Sequence, residues 1–332
     1  MALKSGKLPV GLLEELLRLQ GAEDPSVHMG PVVGEDAAVI DLGDEYLVLK
    51  TDPVTFAEDQ IGWYAVHVNA NDVATMGSRP RWFQVTLLLP KGCEEALVRD
   101  VFHQIHEACV ELGIALTGGH TEVTGAVKQV VVVGDMQGLV AKEKLVVSAG
   151  AREGDVLILT KSAGLEGTAI LAREKREELS PRLDAAMLRR ASEFIRTPGI
   201  SVVAEALLGA ELGSTAMHDP TEGGVAMGLY ELSKACGREV VVRPPAIPVE
   251  EETRLLCDFY GLNPLGLISS GTLLVAIPRS GSHGLLTAYK NMGVKAVTIG
   301  HVGERGVGVR VSGPEGPYPV EPSERDEITK VL

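Results

Sequence analysis

Four short segments of the chain put carboxylates where apolar runs stop: Gly34-Glu35-Asp36-Ala37-Ala38, Thr51-Asp52-Pro53, Asn71-Asp72 and Gly118-Gly119-His120-Thr121-Glu122. Asp36 and Asp52 flank apolar runs, at the mouths of expected strands. Asn69 and Asp72 lie three apart among Val66, Ala70, Val73 and Met76, so they share one face of a mostly apolar helix. A charge on a buried helix is costly unless it is paired, hydrogen-bonded or bound to metal. Carboxylate oxygens converging from several elements are what Mg²⁺ takes, a hard ion that completes its shell with water and phosphate. Taken singly, each of these aspartates also reads as a turn or helix-end residue making local hydrogen bonds. Spacing alone does not bring them together.

In the second half, His218-Asp219-Pro220-Thr221-Glu222-Gly223-Gly224 stands between an expected strand and an expected helix. Thr221 is placed to cap that helix, and the glycine pair lets a ligand approach the backbone. Free N–H groups at a helix start suit a phosphate, although a simple N-cap turn accounts for the same residues. Ser162–Ile170 (SAGLEGTAI) is a second glycine-containing strand-to-helix turn. It matches neither the phosphate-loop nor the dinucleotide pattern. His103 and His106 fall on the polar side of a helix with no third ligand near in sequence. Arg173–Arg190, mixed in sign, reads as a solvated helical face. Cys93, after Lys91-Gly92, reads as an incidental exposed thiol.

These residues need elements to hold them. Leu12–Leu19, Ile61–Met76 (closed by Gly77) and Glu94–Leu112 (closed by Gly113) have helical spacing; Tyr46–Thr51, Trp82–Leu89, Ile114–Thr117 and Val127–Val133 read as strands. The last two are expected to be joined by GGHTEVTG as a polar turn. After Gly138 the rhythm restarts, with strands at Val156–Thr160, Ser214–Met217, Val240–Val242, Thr272–Ile277, Val294–Ile299 and Val307–Val311, and helices around Ile200–Leu208 and from Glu222. At 332 residues the chain exceeds what one core usually serves. Two layered α/β domains, 1–150 and 151–332, are the expectation. The tail Ser323–Leu332 is charged and reads as peripheral.

Composition narrows the function. A net charge of -14, from 31 Lys+Arg against 45 Asp+Glu, disfavours nucleic acid and anionic membrane as partners. An acidic protein that binds an anion needs metal ions or backbone donors to do so. Met1–Val10 has no apolar stretch of signal-peptide length, and Cys93, Cys109, Cys236 and Cys257 form no CxxC pair. A reduced, cytoplasmic protein is expected.

The ordered set GEDAAVI (34–40), TDP (51–53), AVHVNANDVATMGSRP (65–80), GGHTEV (118–123), EGDVLILT (153–160), HDPTEGG (218–224), NPL (263–265), SGTLLVAI (270–277) and IGHV (299–302) resembles the PurM-like superfamily, most closely its HypE and AIR synthase-related branch. The resemblance covers nearly the whole chain. It implies a two-domain PurM-like α/β fold whose N-terminal sheet pairs with that of a second subunit, so a homodimer, with ATP and Mg²⁺ in a cleft near the interface. The apolar strands Val130–Val133 and Trp82–Leu89 fit a sheet covered in that way.

Carried over by the resemblance, Asp36, Asp52 and Asp72 are the expected magnesium carboxylates. Gly34, Asp36, Asn71, Gly118, Gly119, Gly164, Gly167, Asp219, Thr221 and Gly223 are the expected nucleotide residues. His120, Thr121 and Glu122 are expected beside the phosphates or substrate as the catalytic group. The implied activity is ATP-dependent phosphorylation of an acceptor oxygen. A small-molecule kinase like thiamine-monophosphate kinase, and a nucleotide-binding accessory protein without turnover, are the other readings.

Three departures stand out. Position 35 is Glu where the family more often has Asp, and position 120 is His where HypE and thiamine-monophosphate kinase usually carry Asp. HypE also ends in a cysteine that accepts a carbamoyl group, whereas this chain ends ERDEITKVL and its last cysteine is Cys257.

Overall fold

The computed structural model describes residues 8–55, 57–323 and 325–332. Its first half is built around one helix. The run Ile61–Thr75 forms α2, and all its residues except Val68 are buried. A helix apolar on every side is stable only when other elements surround it. The half's other elements are α1 (Val10–Leu16), β1 (Val27–Met29), β2 (Ala38–Asp41), β3 (Glu45–Val54), β4 (Arg79–Pro90), α3 (Glu95–Leu112), β5 (Ala115–Thr124) and β6 (Val131–Ala141), of which β3, β4, α3 and β6 pack on α2. The six strands make one sheet in the order β1-β2-β3-β6-β4-β5. Alternate residues of β6, from Val132 to Val140, are buried on the α2 side, while the intervening ones stay half-exposed. The other face of this sheet is therefore only partly covered by its own chain.

The second half runs β7 (Val156–Thr160), α4 (Leu165–Glu174), α5 (Arg176–Leu179), α6 (Ala185–Ser192), α7 (Val203–Glu211), β8 (Ala216–His218), α8 (Gly224–Cys236), β9 (Arg238–Val242), α9 (Glu251–Tyr260), β10 (Leu274–Ile277), α10 (Arg279–Asn291), β11 (Ala296–Arg305) and β12 (Val309–Val311). Its strands order as β12-β9-β11-β7-β10-β8. Every residue of β7 and β10 is buried, as expected for central strands covered on both faces. Apolar residues of α8 cover one face, and those of α4, α6, α7 and α9 belong to the core that α2 shares. No described helix is long and apolar enough to cross a membrane.

Two expectations fail, each for a local reason. GGHTEVTG is not a turn: all of it but Gly125 lies inside β5, which pairs in parallel with β4. A Cβ on Gly119 would sit 1.9 Å from the Val85 carbonyl oxygen, and φ there is +147°, so glycine serves the close approach of two strands. The tail is not peripheral either. Asp326 and Glu327 are buried, and Ile328 is fully enclosed in the core. Asp326 accepts the N–H groups of Gly223 (2.6 Å) and Ile328 (2.8 Å), and Glu327 accepts that of Asn263 (2.9 Å).

Candidate functional site

A cleft of about 750 Å³ opens between the two halves, with Asp36, Lys50 and Asp72 on one wall and Glu166, Asp219 and Thr221 on the other. Asp36 ends the loop before β2, Asp72 sits in the last turns of α2, and Asp219 directly follows β8. One carboxylate oxygen from each lies within 4.8 Å of the others, and all three residues are buried. Such convergence of like charge is costly unless cations answer it. The chain supplies two. Lys50 Nζ stands 3.0 Å from Asp72 and 3.2 Å from Asp52, and His218 Nδ1 stands 2.7 Å from Asp36.

The surroundings set the charges. Burial works against the Lys50 ammonium, but Asp72, Asp52 and Asp36 together raise it above an ordinary lysine. Burial also works against a charged His218, and Asp36 and Glu231 overcome it, so the imidazolium is held. Asp219 is raised well above the carboxylate range, first by burial and then by Asp72 and Asp36. Neither oxygen of Asp219 has a hydrogen-bond partner among the described residues. A buried carboxylate with both oxygens unanswered, aimed at two others, fits the donor set of a hard divalent cation. Mg²⁺ held by Asp36, Asp72 and Asp219 would answer all three.

Asp52 takes a different place from the one expected. It lines the cleft but pairs with Lys50 rather than joining the three-carboxylate group. Residues 50 and 52 point to the same side of β3, so the lysine stands between the two aspartates. Asn69, expected on the face of Asp72, holds this strand end: its Oδ1 accepts the Asp52 N–H at 2.9 Å. Burial pushes the Asp52 carboxyl up to about 6 against the pull of Lys50. Glu35, where the family more often has Asp, accepts the N–H groups of Ser148 (2.9 Å) and Ala149 (2.8 Å). It pins the loop that carries Asp36.

Among the other expected residues, Gly34 and Thr221 line the cleft. Thr221 does not cap α8; the N-cap position is Gly223, at φ +81°, and its N–H goes to Asp326. Asn71 turns away from the cleft, donating to the Ile200 carbonyl and accepting from the Val202 N–H, both at 2.8 Å. Gly164 is the left-handed N-cap of α4, and a Cβ on Gly167 would meet Leu267 at 2.4 Å, so both serve the packing of that helix start.

The expected catalytic group lies elsewhere on this chain. Gly118, Gly119, His120, Thr121 and Glu122 are exposed on β5, the outermost strand of its sheet. His120 Nε2 and Glu122 Oε2 are 3.3 Å apart, and none of the five lines the cleft of its own chain. β5 is exposed on both faces over nine of its ten residues, including Leu116 and Val123. Sequence reasoning missed Lys50 and His218. The signal for Lys50 was its place two residues before Asp52; that for His218 was its place beside Asp219.

Comparison with known proteins agrees with this architecture. The models of the AIR synthase related protein N-terminal and C-terminal domains match residues 34–140 and 152–312. A hydrogenase expression/formation protein of Methanocaldococcus jannaschii is 27% identical over 317 residues, 92% of this chain and 90% of its own. Carbamoyl dehydratase HypE of Cupriavidus necator is 30% identical, over 78% of this chain and 74% of its own. The crystal structure of hydrogenase maturation protein HypE in complex with ATP superposes with a TM-score of 0.64 at 25% identity, covering 84% of this chain and 83% of that one. With both halves matched in order over most of their length, the chain belongs to the AIR synthase related protein family.

Proposed function

We propose that this chain is a Mg²⁺- and ATP-dependent phosphoryl-transfer enzyme that activates an oxygen of an acceptor, with the nucleotide in the cleft between its two halves. The observation that carries the reading is the buried group Asp36, Asp72 and Asp219 with Lys50 beside it. Carboxylates alone would repel a triphosphate, so in this net-acidic chain a metal is what makes the site attractive to one. Mg²⁺ there would neutralise charge on the transferring phosphoryl group. The chain's own residues do the rest. Lys50 stands as a fixed cation at the cleft wall, His218 fixes Asp36, and Glu35 fixes the loop before β2.

The relatives support this direction: one acts as a carbamoyl dehydratase, and a HypE structure holds ATP. Cys257 is fully buried, and burial pushes its thiol up to about 12, so this cysteine is not an exposed acceptor.

The doubly exposed strand β5 supports a homodimer in which His120, Thr121 and Glu122 reach the partner's cleft. An edge strand with apolar residues bare on both faces is a surface built to be covered. Light scattering at micromolar concentration reads the assembly, and calorimetry reads Mg-ATP binding. A screen of metabolite extracts for ATP consumption finds the acceptor. A monomer near 35 kDa that takes up no Mg-ATP would overturn the reading.

A further inference from the structure

Glu166 is the second residue of α4, on the wall of the cleft that the second half supplies. It is 4% exposed. Its carboxylate accepts the Ser270 N–H at 3.2 Å, and among the described residues no ion pair joins it. This sets it apart from Asp36 and Asp72, which face His218 and Lys50. The titratable groups around it are Glu222 of the turn before α8, Asp326 of the tail and Tyr64 of α2. None is a cation. A buried carboxylate without a cation is costly to keep. Nor can it serve the nucleotide phosphates, whose charge it would oppose. The group it suits carries a hydrogen.

We propose that Glu166 is a catalytic residue of the acceptor subsite, taking the N–H or O–H proton of an uncharged acceptor as the acceptor oxygen attacks the γ-phosphoryl group. The inference rests on the phosphoryl-transfer reading above. The new bond joins the acceptor oxygen to the γ-phosphorus. The bond from that phosphorus to its bridging oxygen breaks, ADP leaves with the electron pair, and the proton goes to Glu166. For an amide acceptor the departing proton is the N–H, and a C=N bond forms as the oxygen becomes phosphorylated. Burial pushes the Glu166 carboxyl up to about 7, where a base both accepts and returns protons near neutrality.

The test uses the full chain, with water as the substitute acceptor. Wild type, Glu166→Gln and Glu166→Asp are compared for binding of Mg²⁺ with a non-hydrolysable ATP analogue, and for single-turnover ADP formation between about pH 5.5 and 8.5. Binding is expected to be unchanged in both variants, which also shows that they fold. The wild-type rate should rise through about pH 7, and Glu166→Gln should be roughly 10²-fold slower with no such rise. Glu166→Asp should keep a rise, displaced in pH. A wild type no faster than Glu166→Gln at every pH, or a rise that persists in Glu166→Gln, overturns the assignment. Wild type that binds no nucleotide removes the phosphoryl-transfer reading itself, and this inference with it.

Discussion

The aspartate group of the cleft and the edge strand β5 carry similar side chains in opposite surroundings. Asp36, Asp72 and Asp219 are at most 8% exposed, and the first two answer to His218 and Lys50 within the chain. The His120 and Glu122 side chains are 64% and 47% exposed and, among the described residues, answer only to each other. Charge in the first place is worth several times what it is worth in the second, because little water screens it. The cleft's aspartate group is brought together within one chain. The strand acquires such surroundings only when something covers it.

Four substitutions break or sharpen this contrast, beginning with the largest effect. Ile328→Ala empties a fully enclosed site, and an unfolding free energy lower by about 2–5 kcal/mol is expected from denaturant titration. A loss below about 1 kcal/mol would return the tail to the exposed class. Asp219→Asn should spare the fold instead. Burial and its neighbours already hold the Asp219 carboxyl well above the carboxylate range, so the amide replaces an uncharged group and the apo protein should melt about as high as wild type. Its Mg-ATP affinity should fall by about 2–4 kcal/mol, read by calorimetry. A variant that melts lower yet binds Mg-ATP normally would mark Asp219 as structural.

Glu166→Gln tests the same wall through pH. Burial holds its folded carboxyl up at about 7, well above an ordinary glutamate, so between the two the native state holds more protons than the unfolded one. Stability must then fall as pH rises through this window. The variant lacks that component and should gain on wild type by up to roughly 3 kcal/mol between pH 5 and 8. Equal pH slopes would mean that water reaches Glu166.

The smallest effect on stability belongs to Glu122→Gln, within about 0.5 kcal/mol of wild type. Its informative readout is assembly. Dimers mixed from Asp219→Asn and Glu122→Gln chains regain one intact nucleotide site if Glu122 serves the partner's cleft. They regain none if it serves its own. Calorimetric stoichiometry distinguishes the two.

Much of the fold was legible because its signals are local. Ile61–Met76 announced α2 by continuous apolarity up to Gly77, and Glu94–Leu112 announced α3 by a stripe and a terminal glycine. Asp72 stood out as a charge inside that apolar run. Lys50 did not, because YLVLKT reads as an ordinary strand until Asp72 arrives from another element. The His218–Asp36 contact joins the two halves of the chain, and no spacing rule reaches across them. GGHTEVTG misled because paired glycines usually mark turns; the reason for Gly119 here is the Val85 carbonyl of a neighbouring strand. The tail misled because Ile328, Val331 and Leu332 among charges give no helical or strand period.

That tail has a bearing on how the protein is made. Asp326 and Glu327 hold the amides of Gly223 and Asn263, and the Glu327 N–H donates to the Gly266 carbonyl. One loop carries Thr221 and the other leads into Ile268 and Ser270 at the cleft wall, yet both are synthesised well before the residues that fasten them. On the ribosome, where earlier segments fold first, the first sheet and α2 can form while those amides still lack their partners. The wall is completed only once Asp326–Ile328 has cleared the exit tunnel, so a nascent chain acquires its fold before its cleft.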